Sequence, residues 1–216
     1  MVNFSGPVTA GGIVSPLCVV PFDLSANGYV EEEFLVSGTA SCYVVPGEQG
    51  PDGLWAAEAS GSAAFRTRIV IRRPTDPARF SGTLLLEWLN VSSGLEADPD
   101  WAYLHEEIFR SGHAYAAVSA QALGVQGGES LIGLPGPPSR GLRGLDPVRY
   151  GDLEHPGDQY SFDLFGQIGA ALGGKGRGGS AESGRVLGSL APLQVLAIGE
   201  SQSAFYLTSY INAVHP

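Results

Sequence analysis

The chain has 216 residues, of which 44% are apolar and 16% charged, and its mean hydropathy is +0.07. This balance can supply a packed core and excludes an intrinsically disordered chain. The 31 glycines and 15 prolines predict many loops and exclude a helical bundle. The net charge of −10 would repel phosphate backbones and anionic lipids, so we expect neither nucleic acid nor a membrane as partner.

The first 82 residues are predicted to form a β-rich segment. Residues 13–24 and 34–45 mix apolar residues with Gly and Pro, which favours strands joined by turns. Residues 65–72 alternate basic and apolar side chains, which is typical of a strand with one buried face. The only two cysteines, Cys18 and Cys42, fall in the first two strands and predict neither a zinc site nor a disulfide framework, although the sequence leaves open whether they pair.

Residues 83–123 are predicted to form a strand, a helix and a second strand. The nearly continuous apolar run over 83–89 indicates a strand covered on both faces. Asp98 and Pro99 begin a helix that runs to about Ser111 and ends at Gly112. Residues 114–119 form another buried strand, and this order of elements predicts an α/β sheet.

Residues 124–158 are rich in Gly, Pro and polar residues without periodicity, which predicts a long loop that lines a substrate pocket. Residues 159–216 are predicted to contain a helix over 159–172, a strand and a final helix. Between them, residues 173–184 form a predicted flexible connector. Its Gly174–Gly179 stretch fits a loose dinucleotide-binding pattern but follows a helix instead of a strand, so nucleotide binding remains only an alternative.

The most informative stretch is the predicted buried strand 193–198 followed by Gly199-Glu200-Ser201-Gln202-Ser203 and a helix. A serine between small residues at a strand-to-helix turn is typical of a nucleophile elbow, which predicts Ser201 as the nucleophile. The Gln202 N–H at the helix start would donate to the oxyanion. A second donor is expected from the loop after the strand 83–89, at Asn90 or Val91. In the alternative interpretation, Ser201 only caps the helix.

Several stretches lie in order along nearly the whole chain, at residues 28–33, 67–74, 77–82, 87–92, 118–121, 145–150, 155–158, 199–203 and 212–216. Together they resemble a family of largely uncharacterised bacterial alpha/beta hydrolase domain proteins. The resemblance implies an α/β-hydrolase-like, doubly wound and mostly parallel sheet, with Ser201 attacking an ester or related acyl bond. Ser203 departs mildly from the pattern, because many carboxylesterases have Gly at that position.

The partners of a catalytic triad are not evident. In this fold an acid and then a histidine follow the nucleophile, but only 15 residues follow Ser201. His215 would lie roughly 21 Å away on a continuing helix. Among His105, His113 and His155, the last is the first to test, because its loop could fold over the site. Glu200 is expected to point into the sheet.

We therefore expect residues 1–216 to be the N-terminal portion of one α/β-hydrolase domain, truncated after the nucleophile strand and helix. The acid and the histidine are expected beyond residue 216, so the chain alone would be inactive. The expected full-length protein is a serine hydrolase acting on a small-molecule ester, without cofactor or metal. The alternative is a non-catalytic protein that binds a ligand or partner, or an inactive fragment. The sequence has no signal peptide or transmembrane segment, which favours the cytoplasm, and it leaves the oligomeric state open.

Overall fold

The computed structural model describes residues 1–18, 23–173 and 183–215. Within them, six strands form one sheet in the order β1-β2-β3-β5-β4-β6. The strands are β1 (Asn3–Ser5), β2 (Tyr29–Val44), β3 (Glu58–Pro74), β4 (Thr83–Trp88), β5 (Ala114–Val118) and β6 (Gln194–Ile198).

The sheet is mixed, so the prediction of a mostly parallel sheet is wrong for the described strands. The pairs β1–β2, β2–β3 and β3–β5 are antiparallel, whereas β4 runs parallel to both β5 and β6. The reason lies in the connections. No helix crosses over between β2 and β3, and such consecutive strands pair antiparallel, whereas a helix joins β4 to β5.

Seven α-helices lie in the described ranges: α1 (Pro99–Ser111), α2 (Ala122–Gln126), α3 (Gly141–Leu145), α4 (Pro147–Tyr150), α5 (Ser161–Leu172), α6 (Ser183–Leu187) and α7 (Gln202–Ser209). Short 3-10 turns cover Ser25–Asn27, Pro77–Arg79 and Asp158–Tyr160, and a π-helical turn covers Tyr210–Val214. None of the helices in these ranges is long and apolar enough to cross a membrane.

The predicted loop 124–158 contains α3 and α4 and the end of α2. Asp146 explains α4, since its carboxylate accepts the N–H groups of Val148 and Arg149 while Pro147 occupies the first helical position. Each of these signals is a single residue, so hydrophobic periodicity does not reveal this helix.

The predicted strand over 13–24 is not formed in its described part. Leu17 makes one isolated bridge to Ala97, and Ser25 begins a 3-10 turn. Cys18 is therefore exposed and outside any strand, with a positive φ of 74°, whereas Cys42 lies on β2; both are free thiols.

Helices cover both faces of the sheet. On one face, Trp101 and Ile108 of α1 pack on a group that includes Leu85 and Tyr115. On the other face, α5 and α7 pack on alternate residues of the same strands. The contacting residues there include Leu84, Leu86, Trp88, Leu164, Phe165, Ile168 and Leu207. The central strands β4 and β5 are accordingly buried throughout.

Strand β6 differs from its predicted burial. Leu196 is 45% exposed, and Leu193, which directly precedes the strand, is 79% exposed. The cause is its position at the end of the strand order: β6 pairs with β4 alone, and no helix of the described ranges covers Leu196.

A buried ionic cluster anchors the N-terminal segment to the sheet. Glu33 of β2 pairs with Arg68 at 3.3 Å and with Arg149 at 2.5 Å, and all three side chains are almost fully buried. Arg68 also pairs with Glu96. The Arg149 guanidinium donates to the carbonyl of Val8 at 3.1 Å, so the cluster holds the chain before β2 in place.

Candidate functional site

Ser201 occupies the tight turn between β6 and α7. Its backbone angles are φ 54° and ψ −117°, a region that side-chain-bearing residues rarely adopt. Its side chain is exposed and makes no capping hydrogen bond to α7. The interpretation of Ser201 as a helix cap therefore does not fit this geometry. A strained backbone that presents a free hydroxyl is typical of a nucleophile.

The small residues on either side of Ser201 close this turn. A Cβ on Gly199 would lie 2.9 Å from Leu207 Cδ1 and 3.1 Å from Ser203 Oγ, so a larger residue would require these two side chains to shift. Ser203 is fully buried; its hydroxyl donates to the Glu200 carbonyl at 2.8 Å and accepts the Glu200 N–H at 3.1 Å. The serine that replaces the more usual glycine thus adds hydrogen bonds to the turn.

The loop after β4 lies against the elbow. The Asn90 N–H donates to the Ala97 carbonyl at 3.0 Å, so this predicted oxyanion donor is already engaged. The Val91 N–H lies 3.4 Å from Gln202 Oε1 and faces the start of α7. The backbone N–H of Gln202 has no acceptor within the described ranges. Val91 and Gln202 are therefore two residues beside this turn whose backbone N–H groups have no backbone acceptor in the described ranges.

A model of the alpha/beta hydrolase domain family matches residues 4–216, and its span contains both the elbow and this loop. The chain belongs to the alpha/beta hydrolase domain family. A comparison with curated proteins yields no matching relative.

Sequence reasoning missed two polar residues of this hydrolase domain that lie next to the elbow. Gln121 Oε1 accepts hydrogen bonds from Trp88 Nε1 at 3.1 Å and from Gln202 Nε2 at 2.9 Å. Asp158 accepts from Gln121 Nε2 at 3.1 Å and from the Tyr206 hydroxyl at 3.1 Å. Burial, followed by the nearby Asp158 carboxylate, raises the pKa of Tyr206 to about 12. The position of Gln121 just after a buried strand was a usable signal, because ligands of α/β folds bind at the carboxyl ends of strands.

His155 is part of the packed interior of the hydrolase domain. Its Nε2 lies 2.9 Å from the Ala120 carbonyl, and its Nδ1 accepts the Gly157 N–H at 3.2 Å. Burial lowers its pKa. Both ring nitrogens are thus engaged, and the side chain is 3% exposed, which suits a structural role.

The other histidines contact residues other than Ser201. His113 Nδ1 is 2.7 Å from Ser81 Oγ, His105 Nδ1 is 2.9 Å from the Ala102 carbonyl, and the His215 ring packs edge-on against Tyr210. In residues 1–18, 23–173 and 183–215, no histidine forms a hydrogen bond with Ser201.

Acidic groups lie behind the site. Glu87 of β4 accepts the N–H groups of Asp100 and Trp101 at 3.2 and 3.1 Å, and burial raises its pKa to about 8. These bonds fix the start of α1 and place Glu87 in a structural role. Glu200 is exposed instead of pointing into the sheet. Burial raises the pKa of Asp100, and the charge of Glu200 raises it further.

A cavity of about 390 Å³ opens beside α7, one helical turn beyond Ser201. It is lined by Asp158, Gln159, Phe162, Phe205, Tyr206 and Ser209. Phe205 lies one helical turn after Ser201, and its N–H donates to the Ser201 carbonyl at 3.3 Å. Of the residues 124–158 that were expected to line a pocket, Asp158 alone contributes to this one.

The part of the chain that the structure describes contains no group of three metal-ligating side chains. The Gly174–Gly179 pattern, on which the nucleotide-binding alternative depends, lies outside the described residues.

Proposed function

We propose that this protein is a serine hydrolase that cleaves a carboxylic ester or a related acyl bond through an acyl-enzyme on Ser201. The observation that carries this proposal is the strained backbone of Ser201, with φ 54°. The turn leaves the Ser201 hydroxyl exposed, and the hydroxyl makes no capping hydrogen bond to α7. Strain of this kind costs about 1–3 kcal/mol and persists where the surrounding structure enforces it, which is common at active sites.

Two backbone N–H groups support the second part of the proposal, an oxyanion site. The Gln202 N–H begins α7, where the helix dipole is positive, and the Val91 N–H faces the same turn. In the proposed reaction, Ser201 Oγ bonds to the acyl carbon and the carbonyl oxygen becomes the oxyanion that both groups stabilise. Each donor of this kind contributes roughly 3–4 kcal/mol to transition-state stabilisation.

The reaction also needs a base. We propose that a histidine and its carboxylate partner come from chain beyond residue 216, since no described histidine is bonded to Ser201. The base removes the Ser201 proton and transfers it to the departing alkoxide. It then removes a proton from water, which attacks the acyl carbon. The bond between Ser201 Oγ and the acyl carbon breaks, the base returns its proton to Oγ, and the carboxylic acid is released.

The cavity beside α7 supports an apolar substrate group. Its walls include the aromatic rings of Phe162, Phe205 and Tyr206. We propose that a small-molecule ester places an aliphatic or aromatic group there. The net charge of −10 disfavours strongly anionic substrates.

Hydrolysis of p-nitrophenyl esters by the full natural chain tests this proposal. Ser201→Ala should lower kcat/KM by at least about 1,000-fold, and Ser189→Ala, which changes an exposed serine, should leave it unchanged. Hydrolysis that survives Ser201→Ala would contradict the proposal. Ligand binding without any turnover would favour the non-catalytic alternative.

A further inference from the structure

The Gln121 side chain is held in one orientation by groups of opposite hydrogen-bonding character. Its Oε1 accepts the Trp88 indole N–H at 3.1 Å, and its Nε2 donates to the Asp158 carboxylate at 3.1 Å. An indole nitrogen can only donate and a carboxylate can only accept, so the reversed amide would lose both bonds. Gln121 is 1% exposed, which makes such a loss costly.

The orientation of Gln121 determines that of Gln202. Because Gln121 presents its carbonyl oxygen, Gln202 turns its NH₂ group toward it, at 2.9 Å. The remaining atom, Gln202 Oε1, is thereby directed at the Val91 N–H, 3.4 Å away. If the Gln202 amide were rotated by 180°, its NH₂ group would face the Val91 N–H, and two hydrogen-bond donors would point at each other.

We propose that Gln121 is a positioning residue of the oxyanion site and acts through the Gln202 side chain. The two amides form a relay from Trp88 and Asp158 to Val91, which holds the loop after β4 against α7 so that both backbone donors converge. This inference rests on the proposed function. The 3.4 Å contact is long for a hydrogen bond, so the Val91 N–H can donate to Gln202 Oε1 and, at the same time, to a substrate oxygen that gains negative charge.

The first test removes the relay without removing the backbone donors. Gln121→Met keeps the side-chain length but deletes both polar atoms. We expect kcat for p-nitrophenyl ester hydrolysis to fall roughly 10- to 100-fold, with KM changed less than about two-fold, since the oxyanion forms only in the transition state. Gln202→Met should cause the same loss, and the double variant should lose no more than either single variant. Gln49→Ala, an exposed glutamine, is the control.

The second test uses protonation. In Gln121→Glu the introduced carboxylate faces Asp158 and cannot donate to it. A protonated carboxyl can donate to Asp158 while its other oxygen accepts from Trp88 and Gln202. The ratio of kcat/KM between this variant and the wild type should therefore rise as the pH falls, which a purely structural role does not predict.

Four outcomes would overturn the proposal. The first is a Gln121→Met enzyme whose kcat lies within two-fold of the wild-type value. The second is a double variant whose fold-loss in kcat equals the product of the two single-variant losses. If Gln121→Met fails to fold by circular dichroism, a pH-independent ratio for Gln121→Glu overturns it instead. A wild type without hydrolase activity refutes the proposed function separately. Hydrogen exchange at the Val91 amide then decides the relay, which is refuted if Gln202→Met does not accelerate it.

Discussion

The Asn90 side chain donates a hydrogen bond from Nδ2 to the Glu200 carbonyl at 3.0 Å, which joins two segments 110 residues apart. The backbone N–H and carbonyl of Asn90 both form hydrogen bonds with the backbone of Ala97, so the residue that carries the donating side chain is itself fixed. This contact brings the Val91 loop to the residue that precedes Ser201. The spacing of the candidate oxyanion donors is thus a property of the fold.

Asn90→Ala should lower both stability and activity. The buried side chain is lost, the Glu200 carbonyl loses a donor and the Ser92 N–H loses its acceptor, Asn90 Oδ1 at 2.9 Å. We expect the free energy of unfolding to fall by about 1–3 kcal/mol in urea titrations. Asn3→Ala, at an exposed position, should change it by less than about 0.5 kcal/mol. Equal effects of the two variants would be inconsistent with this role for Asn90.

The strain at Ser201 predicts an unusual order of stabilities. Ser201→Gly removes the Cβ that disfavours a φ of 54°, whereas Ser201→Ala retains it. We expect the glycine variant to be about 1–2 kcal/mol more stable than the alanine variant by chemical denaturation. At an unstrained position next to a helix, the glycine variant would be as stable as the alanine variant or less stable. That result would show that the turn at Ser201 is not strained.

The elements around the elbow could be predicted from sequence because each has a strong local signal. The apolar run at β4 and the proline at the start of α1 are examples, and the family resemblance is confirmed by the match over residues 4–216. The strand directions could not be predicted in the same way. The antiparallel pairing of β3 with β5 joins residues such as Ile69 and Val118, and no local pattern encodes it.

The polar contacts of the candidate site were likewise beyond sequence reasoning. Gln121 meets Gln202 and Asp158 only after the sheet and the 124–158 segment have folded together. The engagement of the Asn90 N–H by Ala97 also depends on a loop that returns to the end of its own strand. These contacts depend on long-range geometry, whereas a nucleophile elbow is encoded within a few residues.

Glu87 should make stability depend on pH. Burial raises its pKa to about 8, compared with 4.5 ordinarily, so the folded state binds more protons than the unfolded state between these values. The free energy of unfolding should therefore fall as the pH rises through this interval, by at most about 1.4 kcal/mol per pH unit from this group, and level off above it. Glu87→Gln should flatten the profile measured by urea titration from pH 5 to 8. Glu129→Gln, at an exposed site, should retain the wild-type slope.

The buried ionic cluster should be much more sensitive to substitution than a surface pair. Glu33→Ala removes the carboxylate that faces both Arg68 and Arg149, and we expect a loss of about 3–5 kcal/mol in unfolding free energy. Arg110→Ala breaks the exposed pair with Glu107 and should cost less than about 1 kcal/mol. Similar losses in the two variants would contradict the anchoring role of the cluster.

The most direct test of the central claim is covalent labelling of the full natural chain with a fluorophosphonate, followed by peptide mass spectrometry. A nucleophilic serine attacks the phosphorus atom and expels fluoride, so the account predicts one added phosphonyl group on Ser201, and none on the Ser201→Ala variant. An absence of labelling on the folded natural chain, or a label that persists in Ser201→Ala, would contradict the assignment of Ser201 as the nucleophile.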